Sequence, residues 1–139
     1  MPFANPSKGP HRADYLPIVL MSGAMMSTMS EHIDYVELPG GDLDASKSFY
    51  HSAFGWTFED FGPTYAGFEN AGLDGGLAGG DAAMTAVPLV LLKADDLEDA
   101  LARVTAAGGE VTVPIFEFPG GRRFHFRDPA GNELGVWAE

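Results

Sequence analysis

The chain has 139 residues, 45% of them hydrophobic and 20% charged, which fits one globular domain large enough to bury a core without staples. It contains no cysteine, so disulfides, thiolate metal sites and cysteine nucleophiles are excluded together. The net charge is −12; Lys8, Arg12 and Asp14 leave the first 29 residues at +1, so residues 30–139 carry −13, a field that repels nucleic acid and anionic membrane and favours cationic or neutral ligands.

In residues 1–29, Lys8, His11 and Arg12 precede an apolar stretch from Tyr15 to Met26. It superficially resembles a secretory leader, but Pro17, Ser22 and Gly23 interrupt it, and Met26 and Met29 offer alternative starts, so the segment reads as an amino-terminal extension or tag-like arm. No apolar run approaches the ~20 residues of a membrane-spanning helix, so no membrane partner is expected; a cytoplasmic location is compatible with the absence of cysteine and is the expectation. From Ile33 to Leu38, alternation puts Ile33, Tyr35 and Glu37 on one face of a strand, which Pro39-Gly40-Gly41 ends. Asp42 is placed to cap a helix with an apolar stripe of Leu43, Ala45, Phe49, Ala53 and Phe54, stopped by Gly55. Three short strands are expected next: Trp56 to Phe61, Tyr65 to Glu69, and one in the glycine-rich stretch from Gly72 to Gly80.

The order then repeats. Leu89 to Ala94 reads as a strand, and Asp96 caps a helix whose buried stripe is Leu97, Ala100, Leu101 and Val104, ended by Gly108-Gly109. Val111 to Phe118, Arg122 to Arg127 and Leu134 to Trp137 supply three more strands, broken by Pro119-Gly120-Gly121 and Asp128-Pro129-Ala130-Gly131-Asn132. Asp42 and Asp96 stand 54 positions apart, which points to one βαβββ unit used twice. The predicted fold class is α+β: two modules, about 31–80 and 86–139, in a single domain of residues 30–139, their strands forming a cup-shaped mixed sheet with the helices on its outer face.

Three segments carry a family resemblance: Asp42-Leu43-Asp44-Ala45-Ser46-Lys47-Ser48-Phe49-Tyr50, then Phe54-Gly55-Trp56, and Phe126-Arg127-Asp128-Pro129-Ala130-Gly131-Asn132-Glu133-Leu134. With the duplicated order, residues 31–139 resemble the vicinal oxygen chelate superfamily, which includes glyoxalase I, bleomycin-resistance proteins and extradiol dioxygenases. The resemblance implies a small-molecule ligand held in the cup, a homodimer that sometimes exchanges modules, and, in the metal-using members, ligands on the first and last strand of each module. Aligned through Leu38 and Ala94, those positions fall on Ile33, Leu89, Gly135 and the glycine-rich segment near Gly75 to Leu77, where only Asp74 could ligate. No metal and no cofactor are therefore expected.

The side chains expected on the inner faces are Tyr35, Glu37, Leu89, Leu91, Lys93, Arg123, His125 and Trp137, with Trp56, Tyr65 and Glu117 as possible neighbours. Of these, Tyr35, Glu37, Tyr65, Arg123, His125 and Trp137 are the candidate ligand-binding residues: aromatic walls with a few polar anchors. Two functions fit. One is metal-free binding or sequestration of a small cationic or aromatic molecule by an acidic cup. The other is an enzyme of lyase, isomerase or dioxygenase type on a small carbonyl or vicinal-oxygen substrate, either without metal, with Glu37 or His125 moving a proton, or metal-dependent, should the strand register differ from the one read here. Alternation sends Arg122 to the face opposite Arg123 and Arg127, so the three do not form one anion site, and at least one is expected to pair with a carboxylate.

Overall fold

A computed structural model of the protein describes residues 30–139; the expected arm at 1–29 lies outside them. The elements run β1 (His32–Gly41), α1 (Leu43–Phe54), β2 (Phe58–Asp60), β3 (Tyr65–Phe68), β4 (Gly75–Gly79), a 3-10 turn (Gly80–Ala82), β5 (Leu89–Lys93), α2 (Leu97–Ala106), β6 (Glu110–Phe118), β7 (Gly121–Arg127) and β8 (Glu133–Ala138). The βαβββ order therefore occurs twice, as the repeat predicts. Both acidic caps form: Asp42 Oδ1 accepts the Ala45 N–H at 3.1 Å and Asp96 Oδ1 accepts the Asp99 N–H at 3.0 Å, each satisfying a donor that the first helical turn leaves open.

All eight strands join one sheet in the order β2-β3-β4-β1-β5-β8-β7-β6. Each module contributes four neighbours, with its first strand parallel to its last: β1 beside β4 and β5 beside β8. The two first strands meet antiparallel at the centre, pairing Tyr35 with Leu91 and Glu37 with Leu89, so the modules are joined within one chain. One face of the second module carries α2 over a core of Ala94, Leu97, Ala100, Phe124, Val136 and Ala138. The other face forms the cup.

Two expectations fail. Between Ile33 and Tyr35 the β1–β5 register shifts, with Ile33 opposite Leu92 and Tyr35 opposite Leu91. This bulge at Asp34 costs one step of alternation and turns Ile33 away from Tyr35 and Glu37; Ile33 is left 63% exposed. The apolar stripe of α1, expected to pack the helix, is not buried either: no residue of the helix is, and Phe49 and Phe54 stand 59% and 65% exposed. Their rings pack on one another and on Tyr50 and Trp56 along the outside. No helix among the described residues is long and apolar enough to cross a membrane.

Candidate functional site

The cup encloses a cavity of about 590 Å³, within the range of small-molecule sites. Its floor is the central seam, where β1 presents Tyr35 and Glu37 and β5 presents Leu91. From the first module come Phe61, Thr64, Tyr65 and Ala78, with Ala82 from the 3-10 turn; from the second come Phe118, Pro119, Gly120, Arg123 and Trp137. Walls of this kind are largely apolar, with polar groups at a few fixed points.

Three polar contacts cross or close the cup. The Tyr35 and Tyr65 hydroxyls hydrogen-bond to one another. Gly76 permits this, because a Cβ there would lie 2.6 Å from the Tyr65 ring and hydroxyl. Burial pushes both phenols above the ordinary tyrosine range, and for Tyr65 the bond to Tyr35 adds to the rise, so both stay protonated at neutral pH. The Arg123 guanidinium faces Glu37 with two N–H···O contacts of 3.4 Å, the two side chains 8% and 10% exposed. Phe116 and Phe118 hold the guanidinium at 5.3 and 5.2 Å from their ring centres, and Nη2 lies 3.2 Å from Met84 Sδ. Finally, Trp137 Nε1 donates to Asp34 Oδ1 at 3.0 Å, so the bulged residue fixes an indole of the cup wall.

Five of the six candidate residues, Tyr35, Glu37, Tyr65, Arg123 and Trp137, thus line one cavity. His125 does not. It is fully buried behind the wall, against Phe116 and beside Gly135, where a Cβ would come within 3.3 Å of its ring. Its Nδ1 lies 3.4 Å from Glu133 Oε2 without hydrogen-bond alignment, and neither ring nitrogen has a partner among the described residues. Burial, then the charge of Arg123, hold its pKa below the ordinary histidine value despite Glu133. A neutral, enclosed imidazole is poorly placed to exchange protons with a cavity ligand.

Other expectations are also corrected. Trp56 stacks on Tyr50, 4.9 Å apart, and is not in the lining. Phe116, not Glu117, stands opposite Arg123 in the β6–β7 ladder, so Phe116 and Phe118 share its face while Glu117 is exposed. Phe118 was missed; its signal is an aromatic residue just before the Pro119-Gly120 turn, which carries it over the cup mouth. Arg122 pairs with Glu98 on α2, opposite Arg123 as expected, and Arg127 pairs with Glu110 at 2.8 Å. The expected acidic cup is not acidic: Glu37 is the one carboxylate in the lining among the described residues, and Arg123 faces it.

A divalent ion needs three or four converging donors. On the cup face the first strands offer Tyr35, Glu37, Leu89 and Leu91, and the last strands offer Gly76, Ala78, Gly135 and Trp137. Only Glu37 is a suitable donor there, and it faces a guanidinium. No group of three His, Asp or Glu side chains among the described residues could hold an ion. The residues do not fit a metal centre, and no chemical step is routed through one.

The comparisons agree with this architecture. The chain is 29% identical over 116 residues to "Putative glyoxylase CFP32" of Mycobacterium tuberculosis, covering 75% of this chain and 44% of that one. It is 31% identical over 124 residues to the anthracycline biosynthesis protein DnrV of Streptomyces peucetius, covering 74% and 45%. The chain thus spans less than half the length of the curated relatives it matches. Among solved structures, the Mn(II)-bound glyoxalase of Novosphingobium aromaticivorans is similar at 27% identity and a TM-score of 0.55, covering 76% of this chain and 38% of that one. Residues 32–136 match the family model, and the chain belongs to the Glyoxalase/Bleomycin resistance protein/Dioxygenase superfamily.

Proposed function

We propose that the cup binds a small, planar, neutral molecule through its own side chains, without a resident metal. The observation that carries this reading is the Glu37–Arg123 pair: it cancels the one carboxylate that the described residues give to a mostly aromatic and aliphatic lining. A cation entering the cup would meet no free negative charge and would lose its hydration. Flat ring systems gain from the faces and edges of Tyr35, Tyr65, Phe61, Phe118 and Trp137. The relative named for anthracycline biosynthesis is consistent with a planar ligand.

The enzymatic alternative has weaker support. Other relatives are named as glyoxalases, but here Glu37 is held by Arg123 and His125 is walled off. A homodimer belongs to the same reading, since β2 and β6 are the edges of the sheet among the described residues and edges invite pairing; sedimentation of the full chain at several concentrations tests it. The binding reading is tested with two flat probes that share a ring system and differ by an N-methyl group and its charge, neutral quinoline and cationic N-methylquinolinium, titrated into ¹⁵N-labelled protein. Quinoline is expected to shift the Trp137 indole and the Gly120 amide and to bind more tightly, with Phe118→Ala weakening it. Preference for the cation, or shifts confined to another surface, refutes the reading.

A further inference from the structure

The polar groups of the cup allow a count of donors against acceptors. The Trp137 indole N–H is spent on Asp34, and each Glu37 oxygen faces one Arg123 nitrogen. Two tyrosine hydroxyls bring two protons to a single mutual hydrogen bond. One proton fills that bond; the other has no protein acceptor among the described residues. Arg123 Nε also has no partner among the described residues, but it has almost no accessible surface and is out of a ligand's reach. The Tyr35–Tyr65 pair therefore presents one part-buried O–H without a protein partner among the described residues, to which a ligand acceptor would add a hydrogen bond.

We propose that the cup selects planar compounds carrying a carbonyl acceptor and few donors, of the aryl ketone or quinone class, whose oxygen takes the O–H that the Tyr35–Tyr65 pair leaves unspent. This deepens the binding role proposed above and rests on it. The selectivity belongs to the pair, not to either ring. If one tyrosine is replaced by phenylalanine, the survivor no longer has a phenol to bond and still presents one free O–H. Only removal of both hydroxyls removes the O–H that the pair supplies; the Thr64 hydroxyl, on an exposed residue at the cavity's edge, is present in every variant and so cancels from the comparison. That behaviour differs from a single anchoring tyrosine, where one substitution is enough.

The test uses fluoren-9-one and fluorene, which share a shape and differ by one carbonyl, titrated into the full chain with tryptophan emission as the signal. The wild type is expected to prefer the ketone by roughly five- to tenfold, about one net hydrogen bond. Tyr35→Phe and Tyr65→Phe should each keep a preference, and the double variant should bring the ratio to about one. Equal binding of the two probes by the wild type, or a preference that survives in the double variant, overturns the inference while leaving the cavity reading intact. If neither probe binds, both fall. Should the double variant fail to fold, the C=O stretch of ketone bound to the wild type decides: a shift to lower frequency than in a hydrocarbon solvent supports the inference, and an unshifted band overturns it.

Discussion

The two modules share an element order and differ in substance. In the first, β2 has three residues, β3 has four, and β4 is Gly-Gly-Leu-Ala-Gly; in the second, β6 has nine, β7 has seven, and β8 is Glu-Leu-Gly-Val-Trp-Ala. At matching ladder positions the first module pairs Ala66 with Leu77, and the second pairs Phe124 with Val136. Helix α2 buries Leu97 and Ala100, whereas α1 buries nothing. The repeat has divided its work: the second module supplies a packed body, and the first gives up side-chain volume, as at Gly76, where the Tyr65 ring takes the space and is brought to the cup.

This asymmetry can be broken experimentally. The largest effect is expected at Phe124→Ala, a loss of about 4 kcal/mol, against about 3 kcal/mol for Leu77→Ala in the first module; equal losses by urea denaturation would show two equivalent cores. Next is the pair that joins the modules. Arg123→Met strands Glu37 in the cup and should cost about 3 kcal/mol, much of it recovered in the double variant with Glu37→Leu; failure to recover would mean that packing of Arg123 on Phe116 and Phe118, not charge, matters. The helices give the sharpest contrast, because Leu97→Ala should cost about 3 kcal/mol while Phe49→Ser on the exposed face of α1 should cost under about 0.5 kcal/mol. A large loss at Phe49 would show that something covers that face in solution.

The smallest expected effect is pH-dependent. The folded protein holds the His125 pKa below its ordinary 6.5, so below that value the unfolded chain binds the additional proton and stability falls. The contribution is fully present above about 6.5 and is lost as pH drops toward the folded pKa. His125→Gln should flatten the stability profile below pH 6.5, and an unchanged slope would place the titration elsewhere.

Much of this was legible in the sequence. Asp42 and Asp96, the two apolar first strands and the glycine stops give the duplicated topology, because capping and alternation are local. Tyr35, Glu37, Arg123 and Trp137 were found for the same reason. The bulge at Asp34 was not, since a register shift is a property of two strands, and it moved Ile33 off the cup. The stripe on α1 identifies its apolar side but cannot say whether anything covers it. The neutral charge of the cup depends on Arg123 meeting Glu37 across 86 positions, and no local pattern announces that.

That meeting also bears on the order of folding. Glu37 with Arg123, and Asp34 with Trp137, link residues 86 and 103 positions apart, each from the first module to the second. Contacts of such separation pay the largest loop-closure entropy and form late, after the local β-hairpins and helices of each module. Loss of either link should then appear mainly in the unfolding arm of a chevron, with the refolding arm little changed. The expectation is a cup assembled late, whose weakening shortens the lifetime of the native state more than it slows folding.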